Sequence, residues 1–455
     1  MNETKKPINK KRIVMVILCV IVLLIMIVSF VVALINHFSQ SSTTSKTSVS
    51  SSSSSTITKG GTYNITGNNS CIVIKTSDSV ELDLDNATIT CDSGPAINIQ
   101  AAEKVSIVLT GDNTISATTT ENYDGAIYSK DDLTLSGSGS LKVTSNYDGI
   151  VSKDDLVIDG GTYTINSDDD GIKGRDSVEI SSGTFNITSG GDGIKSTNDE
   201  DSSKGYIDIT GGTFNITSVN DGIQAETNLN ITDGTFIIKT TGNASTDSAK
   251  GLKAELLITI DGGSYNINST DDGIHSNGNI VINNGEITID SKDDGIHADG
   301  MVEVNDGTFS ISAAEGIEGT YVKINGGKID ITASDDGINA GNKSSSYSVT
   351  IEINGGDITI NMGQGDTDAI DSNGDLYING GTLDITAQSP FDYDGTAKYS
   401  GGTIIVNGTT TNQITNQMMG GSGREMGGGQ NAPDGNQNET GRNQGPGGNQ
   451  RFRMR

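Results

Sequence analysis

A chain of 455 residues with a formal net charge of −29 presents a strongly acidic surface. Such a surface excludes nucleic acid and anionic lipid as natural partners and favours cations, cationic partners, or anionic partners bridged by divalent metal. The length alone suggests two or three globular domains. An internal period of mostly 21 or 22 residues argues instead for stacked repeats that share one core.

In chain order, residues 1–12 carry Lys5, Lys6, Lys10, Lys11 and Arg12 against Glu3 and are expected to stay cytoplasmic. Residues 13–35 are apolar apart from Cys19 and Ser29. As a helix they would span roughly 35 Å, enough to cross a bilayer. This segment is read as an uncleaved signal anchor; a cleaved signal peptide is the alternative, against which stand the length of the run and the lack of an A-x-A site. The chain is thus expected to sit at the cell membrane as a single-pass protein, its repeats extracellular. Residues 36–56 are rich in Ser and Thr and read as a flexible linker. Cys71 and Cys91 are one repeat apart, so they either pair across neighbouring coils or remain two buried thiols.

From residue 57 to 410 the repeat runs without interruption. In one unit, Asn279-Ile280-Val281-Ile282 reads as a strand and Asn283-Asn284-Gly285 as a turn. Glu286-Ile287-Thr288-Ile289-Asp290 is a second strand, Ser291-Lys292-Asp293-Asp294-Gly295 a second turn, and Ile296-His297-Ala298 a short third strand. Three strands and three turns in about 22 residues predict a single-stranded parallel β-helix solenoid of about 15 coils, roughly 70 Å long at ~4.8 Å per coil. One corner reads Gly-Gly-Thr-aromatic, as in Gly160-Gly161-Thr162-Tyr163 and Gly211-Gly212-Thr213-Phe214. Glycine there supplies positive φ, and strand parity turns Tyr163 and its equivalents into the core. Residues 411–455, rich in Gly, Asn and Gln, cannot build a core and read as a disordered tail.

The other corner reads acid-Gly-Ile. Before its glycine, eleven of twelve units carry an acid, among them Asp148, Asp170, Asp192, Asp221, Asp272, Asp294, Glu315 and Asp336, with Lys250 the basic exception. Turn chemistry alone would mix Asp, Asn and Ser, as the Gly-Gly corner does with Asp159, Ser182, Asn284 and Asn325. Carboxylates stacked ~4.8 Å apart repel by about 0.9 kcal/mol per pair in water. Bound calcium is therefore expected, since it accepts irregular oxygen cages; a solvated acidic edge that discourages aggregation is the alternative. The candidate ligands are Asp148, Asp169, Asp170, Asp192, Asp221, Asp271, Asp272, Asp293, Asp294, Asp335 and Asp336. The residue after Gly-Ile is expected to face outward, giving a polar stripe of Lys173, Lys195, Gln224, Lys253, His275, His297 and Asn339 that, with Arg175, would contact a polymer lying along the rod. As transition-metal ligands, His275 and His297 lack an evident third ligand in the sequence. Tyr123, Tyr147 and Tyr393 are expected to be exposed.

The Asp-Asp-Gly-Ile-His/Asn-Ala and Asn-Gly-Gly-Thr phrases resemble those of the bacterial secreted carbohydrate-binding parallel β-helix family, over residues 57–410. The resemblance implies a pectate-lyase-like solenoid that contains calcium and binds cellulose or acidic sugars without cleaving them. A polysaccharide lyase is a second possibility, with Arg175 beside Asp168, Asp169 and Asp170 as its candidate base. An acidic spacer or adhesin is a third. The expected partner is an extracellular polysaccharide, and the chain is expected to act as a monomer.

Overall fold

The computed structural model describes residues 47–49, 53–246, 248–363 and 367–416. The basic segment, the apolar run 13–35 and nearly all of the C-terminal tail lie outside the described residues. Every element among the described residues is a β-strand, and the strands pair almost wholly in parallel within one sheet.

Pairing follows the sequence period. Strand Asp155–Ser167 lies between Leu133–Ser145 and Ser177–Ser189, with Tyr163 opposite Leu141 on one side and Phe185 on the other. In the unit read from sequence, the strands are Asn279–Ile282, Glu286–Ser291 and Ile296–Val304. The third strand runs on into the first strand of the next unit, with an irregularity in its pairing between Ala298 and Met301. Alternation sets the faces: Ile287, Ile289 and Ser291 are buried while Glu286, Thr288 and Asp290 are exposed.

The aromatic residues of the Gly-Gly corner form an internal column. Tyr163, Phe185, Phe214, Phe236 and Tyr265 stack with centroids 4.8–5.0 Å apart and planes within 6°. The glycines of the two corners serve different needs. Gly212 has φ of 121°, a conformation that side chains resist. Gly171 has ordinary φ, but a Cβ there would lie 2.5 Å from Gly193 O and 2.6 Å from Ile187 Cγ2. At Gly171 the adjacent coils leave no space for a methyl group, whereas the equivalent Ala369 near the far end of the strand ladder carries one.

The Cys71–Cys91 pair is disulfide-bonded. Strand pairing begins inside the stretch expected to be linker: Thr47–Val49 pairs with Tyr63, Asn64 and Ile65, and Ser55–Ile57 with Ile72, Val73 and Ile74. At the far end Thr409–Thr411 folds back antiparallel on Thr403–Val406, giving the last parallel strand a partner that continues no further.

Candidate functional site

The corner carboxylates are interior groups. Asp148, Asp170, Asp192, Asp221, Asp272 and Asp294 are all at most 7% exposed. Five of them, all but Asp294, accept a hydrogen bond from the backbone of the next coil. Oδ1 of Asp148 accepts from Asp170 N–H at 2.9 Å, Asp170 from Asp192 at 2.8 Å, and Asp192 from Asp221 at 2.8 Å. Asp221 accepts from Lys250 at 2.8 Å, and Asp272 from Asp294 at 3.1 Å. This use of Oδ1 explains why an acceptor recurs at the position, since a buried N–H left unpaired is costly.

The second oxygen is met by a basic side chain three residues on. Lys195 Nζ lies 2.5 Å from Asp192 Oδ2. Lys173 Nζ pairs with Asp148, with Asp170 at 3.2 Å and with Asp124 at 3.5 Å. His275 Nδ1 is 2.7 Å from Asp272 Oδ2, and His297 Nδ1 is 2.6 Å from Asp294 Oδ2. Lys250, the exception in the acidic series, directs its ammonium to Asp271 and Asp272 of the next coil. The repulsion anticipated along this edge is therefore offset, in these coils, by the protein's own side chains.

Lys173, Lys195 and His275 of the polar stripe are the partly exposed middle residues of their short strands, but their side chains do not extend away from the edge. Strand alternation past the corner would turn the stripe outward, yet Lys173, Lys195, His275 and His297 bend back over the acids. Their side chains are 11–26% exposed. Lys253 pairs with Glu255 at 3.4 Å, and Arg175 is held by Glu200 at 2.6 Å and Asp176 at 3.6 Å. Gln224 and Asn339 are partly exposed. Asn339 donates to Glu315 at 2.8 Å and Glu318 at 3.1 Å, while its buried Oδ1 has no hydrogen-bond partner.

Burial and charge together set the protonation of this edge. Burial pushes Asp148 up to about 7 against the opposing charge of Lys173. Burial raises Glu318 as well, but hydrogen bonds from His297 and Lys343 outweigh it and hold the group at about 2. Beyond Glu318 the compensation stops. Asp336 rises to about 7 through burial and then the charge of Asp371; Asp371 rises to about 6 through burial and then Asp392, Asp368 and Asp394.

Three carboxylate groups are brought within 4.8 Å of one another at Asp148, Asp169 and Asp170, and again at Asp271, Asp272 and Asp293. Asp335 is exposed beside Asp336. A further set, Asp132, Asp154 and Asp155, escaped the sequence reading. Its signal was the repeated Ser-Lys-Asp-Asp-Leu phrase at residues 129–133 and 152–156, which the focus on the acid-Gly-Ile corner passed over.

Tyr123, Tyr147 and Tyr393 are partly exposed, and so are Tyr206, Tyr321, Tyr347 and Tyr377. The latter group was missed, although the phrases Tyr206-Ile207-Asp208-Ile209 and Leu376-Tyr377-Ile378 place tyrosine on the outward parity. Tyr321 and Tyr347 sit with centroids 6.2 Å apart at 44°. Tyr206 Oη donates to Glu179 at 2.7 Å and Tyr377 Oη to Asp375 at 2.7 Å.

A family model described as carbohydrate-binding domain-containing protein matches residues 51–295 and 288–423. A protein of Acetivibrio thermocellus with that same description is 36% identical over 124 residues, which is 24% of this chain and 43% of the relative. The match thus spans less than half of that relative's length. A solved structure described as the polysaccharide lyase-like protein from C. thermocellum, gadolinium derivative, is 34% identical; the alignment covers 48% of this chain and 89% of that one, with a TM-score of 0.42.

Proposed function

The chain belongs to the carbohydrate-binding domain-containing protein family, and from that premise we propose that it is a non-catalytic, calcium-containing binder of extracellular polysaccharide. In this reading it is a parallel β-helix of about 15 coils, tethered to the cell membrane through residues 13–35. The observation that carries the reading is the family match, which extends over the whole repeat region, residues 51–423.

We assign the polysaccharide contact to the tyrosine-bearing face. Tyr321 and Tyr347, with Tyr377 on the same run of strands, offer partly exposed rings, and an aromatic face with a polar tip suits the mixed apolar and hydroxyl surface of a sugar. Lys323 and Glu303 lie beside them, paired at 2.8 Å. The stripe cations are poorer candidates, because their charge is spent on the corner acids.

Calcium fits only some of the acidic groups. Around Asp148, Asp170 and Asp192 a lysine ammonium already occupies the place of a cation. Asp132, Asp154 and Asp155 converge with no ion-pair partner among the described residues, and the groups that push Asp154 up to about 6, after burial, are all carboxylates. Asp336 and Asp371 are likewise surrounded by acids, and the orphaned Oδ1 of Asn339 is a further oxygen donor, three residues after Asp336 and in register with Asp371 on the next coil. These two sets would hold calcium, which would supply charge neutralisation and a bridge to an anionic sugar.

A lyase reading requires a free base. The Arg175 guanidinium, clamped between Glu200 and Asp176, is a poor one. A glycan array probed with the purified protein, with and without chelator, tests the proposal. Retention of a polysaccharide without new unsaturated ends supports it. Release of unsaturated products would replace it with the lyase, and silence across the array would favour the spacer.

A further inference from the structure

One cluster is chemically unlike the rest of the acidic edge. His275 and His297 stand on adjacent coils with ring centroids 4.8 Å apart. Around them lie two ligand triads that share His297: Asp272 with His275 and His297, and Asp294 with His297 and Glu318. Within each triad the ligand atoms are within 4.8 Å of one another. Asp272, Asp294, His297 and Glu318 are at most 9% exposed as residues, and the His275 side chain is 13% exposed.

The protons on the two rings are informative. His275 Nε2 faces Asn277 Oδ1 at 2.8 Å. The amide of Asn277 is fixed in that sense, because its nitrogen donates to Glu255. Nε2 must therefore carry a hydrogen. In a neutral ring the Nδ1 lone pair would then point at the Asp272 carboxylate 2.7 Å away. Two lone pairs cannot face each other at that distance without a proton or a metal ion between them. At His297 the demand is greater. Its Nδ1 meets Asp294 Oδ2 at 2.6 Å and Glu318 Oε2 at 2.7 Å, and one N–H cannot serve both acids well. On its far side Nε2 lies 3.5 Å from Asp299 Oδ1.

We propose that His275, His297, Asp272, Asp294 and Glu318 form a binding site for a first-row transition metal of the zinc type, separate from the oxygen-only sets assigned to calcium. Two imidazole nitrogens with carboxylate oxygens suit zinc and its neighbours, whereas calcium avoids nitrogen. On binding, the metal takes the places of the Nδ1 protons, which pass to solvent. Lys343, 2.9 Å from the other Glu318 oxygen, remains as that acid's outer partner. The site does not depend on glycan binding and stands or falls separately from it.

Cobalt titration of the full-length chain, followed by its visible d–d absorption and by competition with zinc, tests the proposal. The wild type is expected to show nitrogen-ligated cobalt bands that zinc abolishes and a large excess of calcium does not. His275→Gln, at the more exposed ring, should weaken binding at least tenfold, and His275→Gln with His297→Gln should abolish the bands. Folding of each variant is checked by its circular dichroism. Absence of the bands in the wild type, their persistence in a folded double variant, or their loss to calcium would each overturn the assignment.

Discussion

The backbone N–H of Lys250 donates to Oδ1 of Asp221, 29 residues earlier, at 2.8 Å. The same step links Asp192 to Asp170 and Asp294 to Asp272. A side chain of one coil thus completes the backbone bonding of the next, and a charged donor residue serves as well as an acidic one, since only its N–H is used. Asp221 is a suitable place to measure the effect, because no cation pairs with it among the described residues; besides Lys250 N–H its carboxylate accepts only from Ser248 Oγ, at 2.8 and 3.0 Å, among the described residues. Asp221→Ala is expected to lower stability by about 1–3 kcal/mol, the usual cost of an unpaired buried donor. Asp221→Asn, which keeps the acceptor, should lie close to wild type. Denaturant unfolding of the two variants checks this; equal losses would remove the backbone role.

Lys173 neutralises acids from three coils. Lys173→Met leaves the buried Asp148 and Asp170 without their ammonium, and breaking a buried pair typically costs about 3–5 kcal/mol. The loss should shrink as pH falls and Asp148, already at about 7 in the native protein, takes up a proton. A pH-independent loss measured by thermal unfolding would contradict the ion-pair account.

The aromatic column makes a prediction independent of charge. Phe214 is fully buried and stacked on both sides at 4.8 Å. Phe214→Ala should cost about 3–5 kcal/mol, and Phe214→Leu should recover much of it, as read from unfolding midpoints.

The pH dependence of stability has a definite sign in chelator. Asp336 at about 7 and Asp371 at about 6 lie above the ordinary aspartate value of about 3.9. Between those limits the folded state binds more protons than the unfolded one, so stability falls as pH rises from about 4 to about 7. His297, held up to about 10 by Asp294 and Glu318 against the effect of burial, continues the fall from about 6.5 upward. Thermal midpoints should therefore be higher near pH 5 than near pH 8. Calcium should raise the midpoint more at the higher pH, and Asp336→Asn with Asp371→Asn should flatten both trends.

Much of the architecture was legible in the sequence because it rests on local periodicity. The parity of Ile287 and Ile289 gave the core face, and the Gly-Gly-Thr phrase located the aromatic column. The placement of Lys173 and His297 was only partly legible: each is the second residue of its strand, and parity does not say that the side chain there turns back to the acid three positions earlier. Nor does any local pattern reveal that Asp148 Oδ1 meets an N–H 22 residues away. Tyr321 and Tyr377 could have been found from parity alone; attention to the acidic corner obscured them.

The central claim, polysaccharide binding through the tyrosine face, is tested most directly by isothermal titration of the full-length chain with a glycan retained on the array. Tyr321→Ala with Tyr347→Ala should weaken binding at least tenfold, about 1.4 kcal/mol or more for a pair of lost stacking residues, while Lys195→Met leaves the affinity unchanged. Unaltered affinity in the tyrosine variant, or its loss in the lysine variant, would contradict the account.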